Sequence, residues 1–152
     1  MSSVCCRKFC LAFVFIGLSG LIFGCAKPEL QSDSLSLGLN CVNDSAECMA
    51  KRRTALNQIL ADDSARWIDQ PASANADASG VRLFAYKMKK KTLTCDQLQR
   101  GYTEAMGARA RLREANNTQL TPALISRGAI LGDEVARELK REMRNRKCKS
   151  KA

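Results

Sequence analysis

Two helix starts in the second half of the chain constrain its fold more than any other feature. Thr94-Cys95-Asp96-Gln97 is a capping box, in which the threonine hydroxyl accepts from the N–H three residues on and Gln97 reaches back. Leu93 is placed to pack on Leu98 as a hydrophobic staple. The device recurs at Thr121, with Pro122 at the first helical position, where its missing N–H costs nothing, and Leu120 facing Ile125. Apolar residues then recur at helical spacing: Leu98, Tyr102, Ala105, Met106 and Leu112 after the first cap. After the second they are Leu124, Gly128, Leu131, Val135, Leu139 and Met143. Gly128 and Gly132 each cost about 1 kcal/mol of helix propensity, and close approach of a neighbouring helix is the expected offset. Asn116-Asn117 stops the first of these helices, and the second frays beyond Arg144.

Upstream, Asp44 and Glu47 have capping-box spacing. Met49, Leu56, Ile59, Leu60, Trp67 and Ile68 follow as an apolar stripe, ended by Pro71. Residues 72–80 have the composition of a linker. Residues 81–88 read two ways. As a strand they alternate Val81, Leu83 and Ala85 with Phe84, Tyr86 and Met88; as a helix Val81, Phe84, Ala85 and Met88 form a full stripe that Ala74 and Ala78 extend backward. Helix is the preferred reading. The expected fold is all-α, a small bundle of three to four helices running up-down-up-down.

The first 24 residues belong to a different regime. Arg7 and Lys8 precede a mostly apolar run from Phe9 that ends in Gly24, a small residue at a cut site, as in a secretory signal peptide. A membrane-spanning helix needs about 20 apolar residues, and this run is shorter and interrupted by Gly17, Ser19 and Gly20. The segment Leu21-Ile22-Phe23-Gly24-Cys25 resembles the lipobox of bacterial lipoproteins, with an aliphatic residue three before the cysteine and a small one directly before it. The resemblance covers residues 1–25 and implies cleavage before Cys25, acylation of its thiol, and a membrane tether through the lipid. Ala26 and Lys27 lack the aspartate that retains such proteins in the inner membrane of enteric bacteria, which points to the outer membrane. The expected organisation is a signal peptide at 1–24, a lipidated cysteine with a flexible tether at 25–43, a helical periplasmic domain at 44–148 and a basic tail at 149–152.

The chain holds 25 Lys and Arg, of which Arg7 and Lys8 lie in the signal, so 23 remain against 15 Asp and Glu, a net charge of +8. A basic exported protein meets anionic lipid or acidic envelope polymers, and export removes nucleic acid from consideration. Cys41, Cys48, Cys95 and Cys148 form an even set, read as two disulfides in an oxidising compartment. A four-thiolate zinc site is the competing reading, but no tight Cys-x-x-Cys pair supports it. In an up-down-up-down bundle all four thiols fall at one pole, with Cys95–Cys148 and Cys41–Cys48 the favoured pairing and Cys48–Cys148 with Cys41–Cys95 the alternative. The same pole is expected to gather Lys51, Arg52, Arg53, Lys87, Lys89, Lys90, Lys91, Arg144, Arg146 and Lys147, with Lys149 and Lys151, as a membrane-proximal basic patch.

Chemistry is harder to find. Histidine is absent, which excludes Ser-His-Asp and Cys-His machinery. Asp62-Asp63 and Asp133-Glu134 are adjacent pairs that do not face each other on a helix. Trp67 reads as a core anchor, and Tyr86 and Tyr102 as packed rings with outward hydroxyls. The expectation is a non-catalytic, lipid-anchored envelope protein with a structural or interaction role, without cofactor or metal, whose partner is another envelope protein. The alternative is a module that binds an envelope polymer or anionic ligand through the basic pole.

Overall fold

The computed structural model describes residues 32–115 and 120–149. Cys25, the signal segment and Lys151 lie outside them. Among the described residues the fold is all-helical, with six α-helices, one 3₁₀ turn and no strand. The helices are α1 (Ser32–Leu39), α2 (Ala46–Ala61), α3 (Ala74–Ser79), α4 (Val81–Lys89), α5 (Cys95–Glu114) and α6 (Pro122–Asn145). The expected three to four helices become six because the segments read as tether and as linker each hold a helix, α1 and α3.

The stretch read as tether holds α1, which packs along α2 in the opposite direction and buries Leu35. A Cβ on Gly38 would meet the Ala55 Cβ at 2.3 Å, so only glycine allows this approach. Helix α2 is capped by Ser45 rather than Asp44, the serine Oγ accepting from the Cys48 N–H at 3.2 Å. It ends ten residues before Pro71. There Asp62 turns its carboxylate onto the Ser64 N–H at 2.9 Å, a local bond that competes with the helix. Ala65 then takes a left-handed conformation (φ 53°) and the chain doubles back. Trp67 and Ile68 are buried as expected, but on the 3₁₀ turn Arg66–Asp69 rather than on a long helix. Ser73 caps α3, and Gly80 (φ 74°) separates α3 from α4, a backbone state natural to glycine. Residues 81–89 are helical.

The last two helices follow their sequence signals closely. Both bonds of the Thr94–Gln97 capping box form, and Thr121 caps α6 with Pro122 in its first turn. A Cβ on Gly132 would lie 2.9 Å from the Ala105 carbonyl oxygen, and one on Gly128 2.8 Å from Leu112 Cδ1. The close helix approach expected of this glycine pair is therefore present along α5 and α6.

The directions of the helices differ from up-down-up-down. Asp44, just before α2, bonds Arg127 near the start of α6, and Gly80 at the start of α4 abuts Leu131. At the other end Lys89 donates to the carbonyls of Leu60 and Asp62, and Lys90 pairs with Glu138. Helices α2, α4 and α6 thus run the same way and α5 runs against them. The return segment between Asp62 and Gly80 makes this possible, since parallel neighbours need a crossover.

Cys41 pairs with Cys48 and Cys95 with Cys148, the favoured pairing. The shared pole does not hold. Cys41–Cys48 sits beside the starts of α2 and α6, whereas Cys95–Cys148 joins the start of α5 to the end of α6. The second bridge closes the longer loop, with a sequence separation of 53 against 7. Loop-closure entropy then assigns about 4 kcal/mol to Cys95–Cys148 and about 2.5 kcal/mol to Cys41–Cys48. Paired Cys→Ser variants should lose urea stability in that order, and equal losses would contradict the loop-length account.

Candidate functional site

Three places concentrate charge or open space, and the first is wholly internal. Arg82 on α4 is 1% exposed. Its Nε and Nη2 donate to the two Glu104 oxygens at 2.8 and 2.6 Å, and Nη1 donates to the Trp67 carbonyl at 2.9 Å. The Tyr86 hydroxyl donates to Glu104 at 3.1 Å, and the Tyr86 and Trp67 rings meet edge to face at 4.6 Å. Tyr86 is completely buried, so its hydroxyl points inward rather than outward; burial and the Glu104 charge push the phenol well above its ordinary range. A second buried carboxylate, Asp77, accepts from Arg111 Nε at 2.8 Å and Nη2 at 3.2 Å. Burial raises the Asp77 pKa, outweighing the pull of Arg111. The charges of Arg82 and Glu104, and of Asp77 and Arg111, are paired, and all but Arg111 are nearly closed off from solvent. They tie the 3₁₀ turn, α3, α4 and α5 together and offer no exposed nucleophile.

The sequence missed this cluster because its stripe for α4 chose Phe84 and Met88, which are 39% and 56% exposed. The buried face runs instead through Val81, Arg82, Ala85 and Tyr86, with Leu83. Met49 and Met106, also placed in apolar stripes, are exposed.

The predicted basic patch divides between two ends. Arg52 and Arg53 lie with Arg127 at the start of α6. Lys87, Lys89, Lys90, Arg144, Arg146 and Lys147 belong to the ends of α4 and α6 or just beyond. Arg127 and Arg144 are 17 residues apart on one helix, about 25 Å at 1.5 Å per residue. Several of these cations are committed locally: Lys51 to Glu47, Lys87 to Glu134 and Glu138, Lys90 to Glu138, and Arg146 to the Leu93 carbonyl. Among the described residues no carboxylate pairs with Arg53, Lys91, Arg144 or Lys147. Asp133 and Glu134, adjacent in sequence, pair with Arg109 and Lys87.

The third place is a cavity of about 300 Å³ between α2, the end of α3, α4 and α6. Helices α2 and α6 each pack on α4 and scarcely touch one another, which leaves a groove floored by α4. Leu56, Val81, Phe84 and Leu131 make its walls apolar, while Arg52, Arg53 and Arg127 stand around it. Asp44 bridges two of these arginines, accepting from Arg52 Nη2 at 3.2 Å and from Arg127 Nη1 at 3.0 Å. The Arg127 hydrogen bonds, then those of Arg52, hold the Asp44 carboxyl below its ordinary range. A further cavity of about 310 Å³ lies beside Cys148, lined by Tyr102, Lys140, Met143 and Arg144.

Among the described residues no group of three or more His, Cys, Asp or Glu is placed to hold a metal, and no helix is long and apolar enough to cross a membrane. No family model, no curated protein and no solved structure matches the chain.

Two measurements follow from the buried charges. Glu104→Leu strands the Arg82 guanidinium and should cost about 3–5 kcal/mol, whereas Arg82→Met with Glu104→Leu should cost clearly less than the two single changes summed. Additive losses in urea denaturation would show that the pair is not coupled. The second measurement is pH dependence. Asp44, Glu47 and Glu138 have folded pKa values lowered, first by hydrogen bonds from Arg127, Lys51 and Lys90 respectively. Each contributes stability present above the unfolded value, about 4, and lost as pH falls through the folded value. Asp77, raised by burial, acts with the opposite sign: its contribution is present in acid and lost as pH rises through its folded pKa. The protein should lose stability from pH 6 to pH 3, and Asp77→Asn should steepen that loss. A shallower loss in the variant would mean that Arg111, not burial, governs Asp77.

Proposed function

We propose that this chain is a small lipid-anchored protein of the cell envelope, facing the periplasm, that acts by binding rather than catalysis. The observation that carries the reading is the segment Leu21–Cys25, which resembles a lipobox and stands seven residues ahead of α1. Two cysteine pairs at bonding positions support it, because disulfides persist in oxidising compartments. Ala26 and Lys27 favour the outer membrane by the same resemblance. The partner in this reading is another envelope protein, and the acyl chains on Cys25 keep the domain beside the bilayer.

A second reading, an anionic-ligand module, is favoured by one feature: the Arg52–Asp44–Arg127 bridge beside an apolar cavity. A single basic pole near the membrane, the sequence-based expectation, does not form. Its cations lie in two groups, so the ligand-binding reading rests on the arginine end alone.

Cys25→Ser should abolish incorporation of radiolabelled fatty acid and leave the unprocessed chain. If parent and variant were equally unlabelled and migrated alike, the lipid anchor would be ruled out. The two readings separate on a further outcome: a fixed protein co-purifying with the native lipoprotein supports the first, and salt-sensitive sedimentation with isolated envelope polymer supports the second.

A further inference from the structure

The groove between α2 and α6 has a charged end and an apolar track. Arg52, Arg53 and Arg127 carry three positive charges there; Asp44 offsets one, and Asp77, which also lines the cavity, is 1% exposed and paired with Arg111. Asp44 also fixes two of the guanidiniums in place, engaging one nitrogen of each: Nη2 of Arg52 and Nη1 of Arg127. A guanidinium has five N–H donors, so each retains donors unspent among the described residues. Arg53 is exposed and has no carboxylate partner among them. The arrangement is a preset anion receptor, and arginine forks suit carboxylate and phosphate oxygens.

From that end the walls turn apolar through Leu56, Val81 and Leu131 to the half-exposed ring of Phe84. Met88, four residues on, lies on the same face of α4 and is 56% exposed. An apolar side chain left open to water along a groove gains on contact with an aliphatic chain. The cavity volume, about 300 Å³, sits at the small end of ligand cavities, which suits one aliphatic chain rather than two.

We propose that this groove binds a single-chain amphiphile with an anionic head, its carboxylate or phosphate held by Arg52, Arg53 and Arg127 and its chain lying over Phe84 toward Met88. The inference deepens the anionic-ligand reading above and rests on it; the lipid anchor at Cys25 is independent of it.

The test uses the full chain in nanodiscs of neutral phospholipid, with medium-chain probes carrying a terminal diazirine: the fatty acid, the alkyl phosphate and the uncharged alcohol. The charged probes should crosslink to the peptides holding Leu56, Phe84 or Leu131, read by mass spectrometry. Whichever of the two crosslinks more strongly identifies the head group. Arg53→Gln with Arg127→Gln should lower that crosslinking at least about tenfold, as loss of charge-assisted hydrogen bonds implies. Arg144→Gln with Lys147→Gln, at the other end, should leave it unchanged. The inference is overturned if the alcohol crosslinks equally, if the arginine variant labels like the parent, or if crosslinks gather beside Cys148 instead. Melting temperatures of both double variants check the fold, and Leu56→Trp, which fills the groove and leaves the arginine charges in the chain, should also suppress labelling. Fatty-acid labelling of Cys25 in the same preparation keeps the two readings apart: an anchored protein that takes up no probe defeats only this inference.

Discussion

The arrangement of the helices depends on the accommodation of Arg82. A guanidinium with 1% exposure is untenable without partners, because removing a charge from water costs several kcal/mol. Its partners come from two other elements: Glu104 from α5 and the Trp67 carbonyl from the 3₁₀ turn. Satisfying one side chain therefore fixes three segments at once. The turn is held against α4, so the chain leaving α2 folds back along the bundle before α4 begins. That return lets α2 and α4 run parallel, and the parallel pair beside α6 leaves the groove. The cluster is not fully satisfied, since the buried Trp67 Nε1 has no hydrogen-bond partner among the described residues. The Arg82 guanidinium 5.9 Å from the Trp67 ring centre adds an attraction at the same place.

Legibility in the sequence followed the range of the interaction involved. The caps at Thr94 and Thr121 are local, need no tertiary partner, and appear where the residues place them. The glycine pair at Gly128 and Gly132 was readable because a helix interior tolerates such residues only for a reason: the α5 backbone lies against Gly132, and Leu112 with the backbone of α3 lies against Gly128. The cysteine pairing emerged correctly because Cys95–Cys148 depends only on α5 and α6 being antiparallel, and Cys41–Cys48 is nearly local. The break after Ala61 was less visible. Trp67 and Ile68 fall in phase with the stripe of α2, yet Asp62-Asp63-Ser64 is a polar cluster of turn-forming type that marks the stop. In α4 the signal misled outright. A helical stripe counts apolar residues, and the face that turns inward carries an arginine and a tyrosine whose partners lie 22 and 18 residues away.

The return after Ala61 also moves the charges. Placing all cations at one pole required α2 to run opposite to α4, so a reversed direction for one helix displaced its basic residues by the length of the bundle. Lys87, Lys89 and Lys90 then serve packing: they bind carboxylates of α6 and carbonyls at the end of α2. Cations at helix C-termini are stabilising in their own right, and those at the ends of α4 and α6 need no ligand to explain them. Arg52 and Arg53, in the second turn of α2, have no such dipole justification.

Asp44 supplies the remaining connection. Its sequence position suits the cap of α2, but Ser45 performs that task, and the aspartate is left to reach across to α6. The two helices flanking the groove barely meet elsewhere, so Arg52–Asp44–Arg127 is the link that spans them at this end. The bridge spans the groove mouth and, because a carboxylate can accept from several donors without exhausting either guanidinium, leaves N–H groups unspent beside the mouth. A neutral residue at position 44 would remove the offsetting charge and also release the arginines from their fixed spacing. Affinity for an anion therefore turns on which effect dominates, and preorganisation argues that a held pair of arginines outperforms a mobile one.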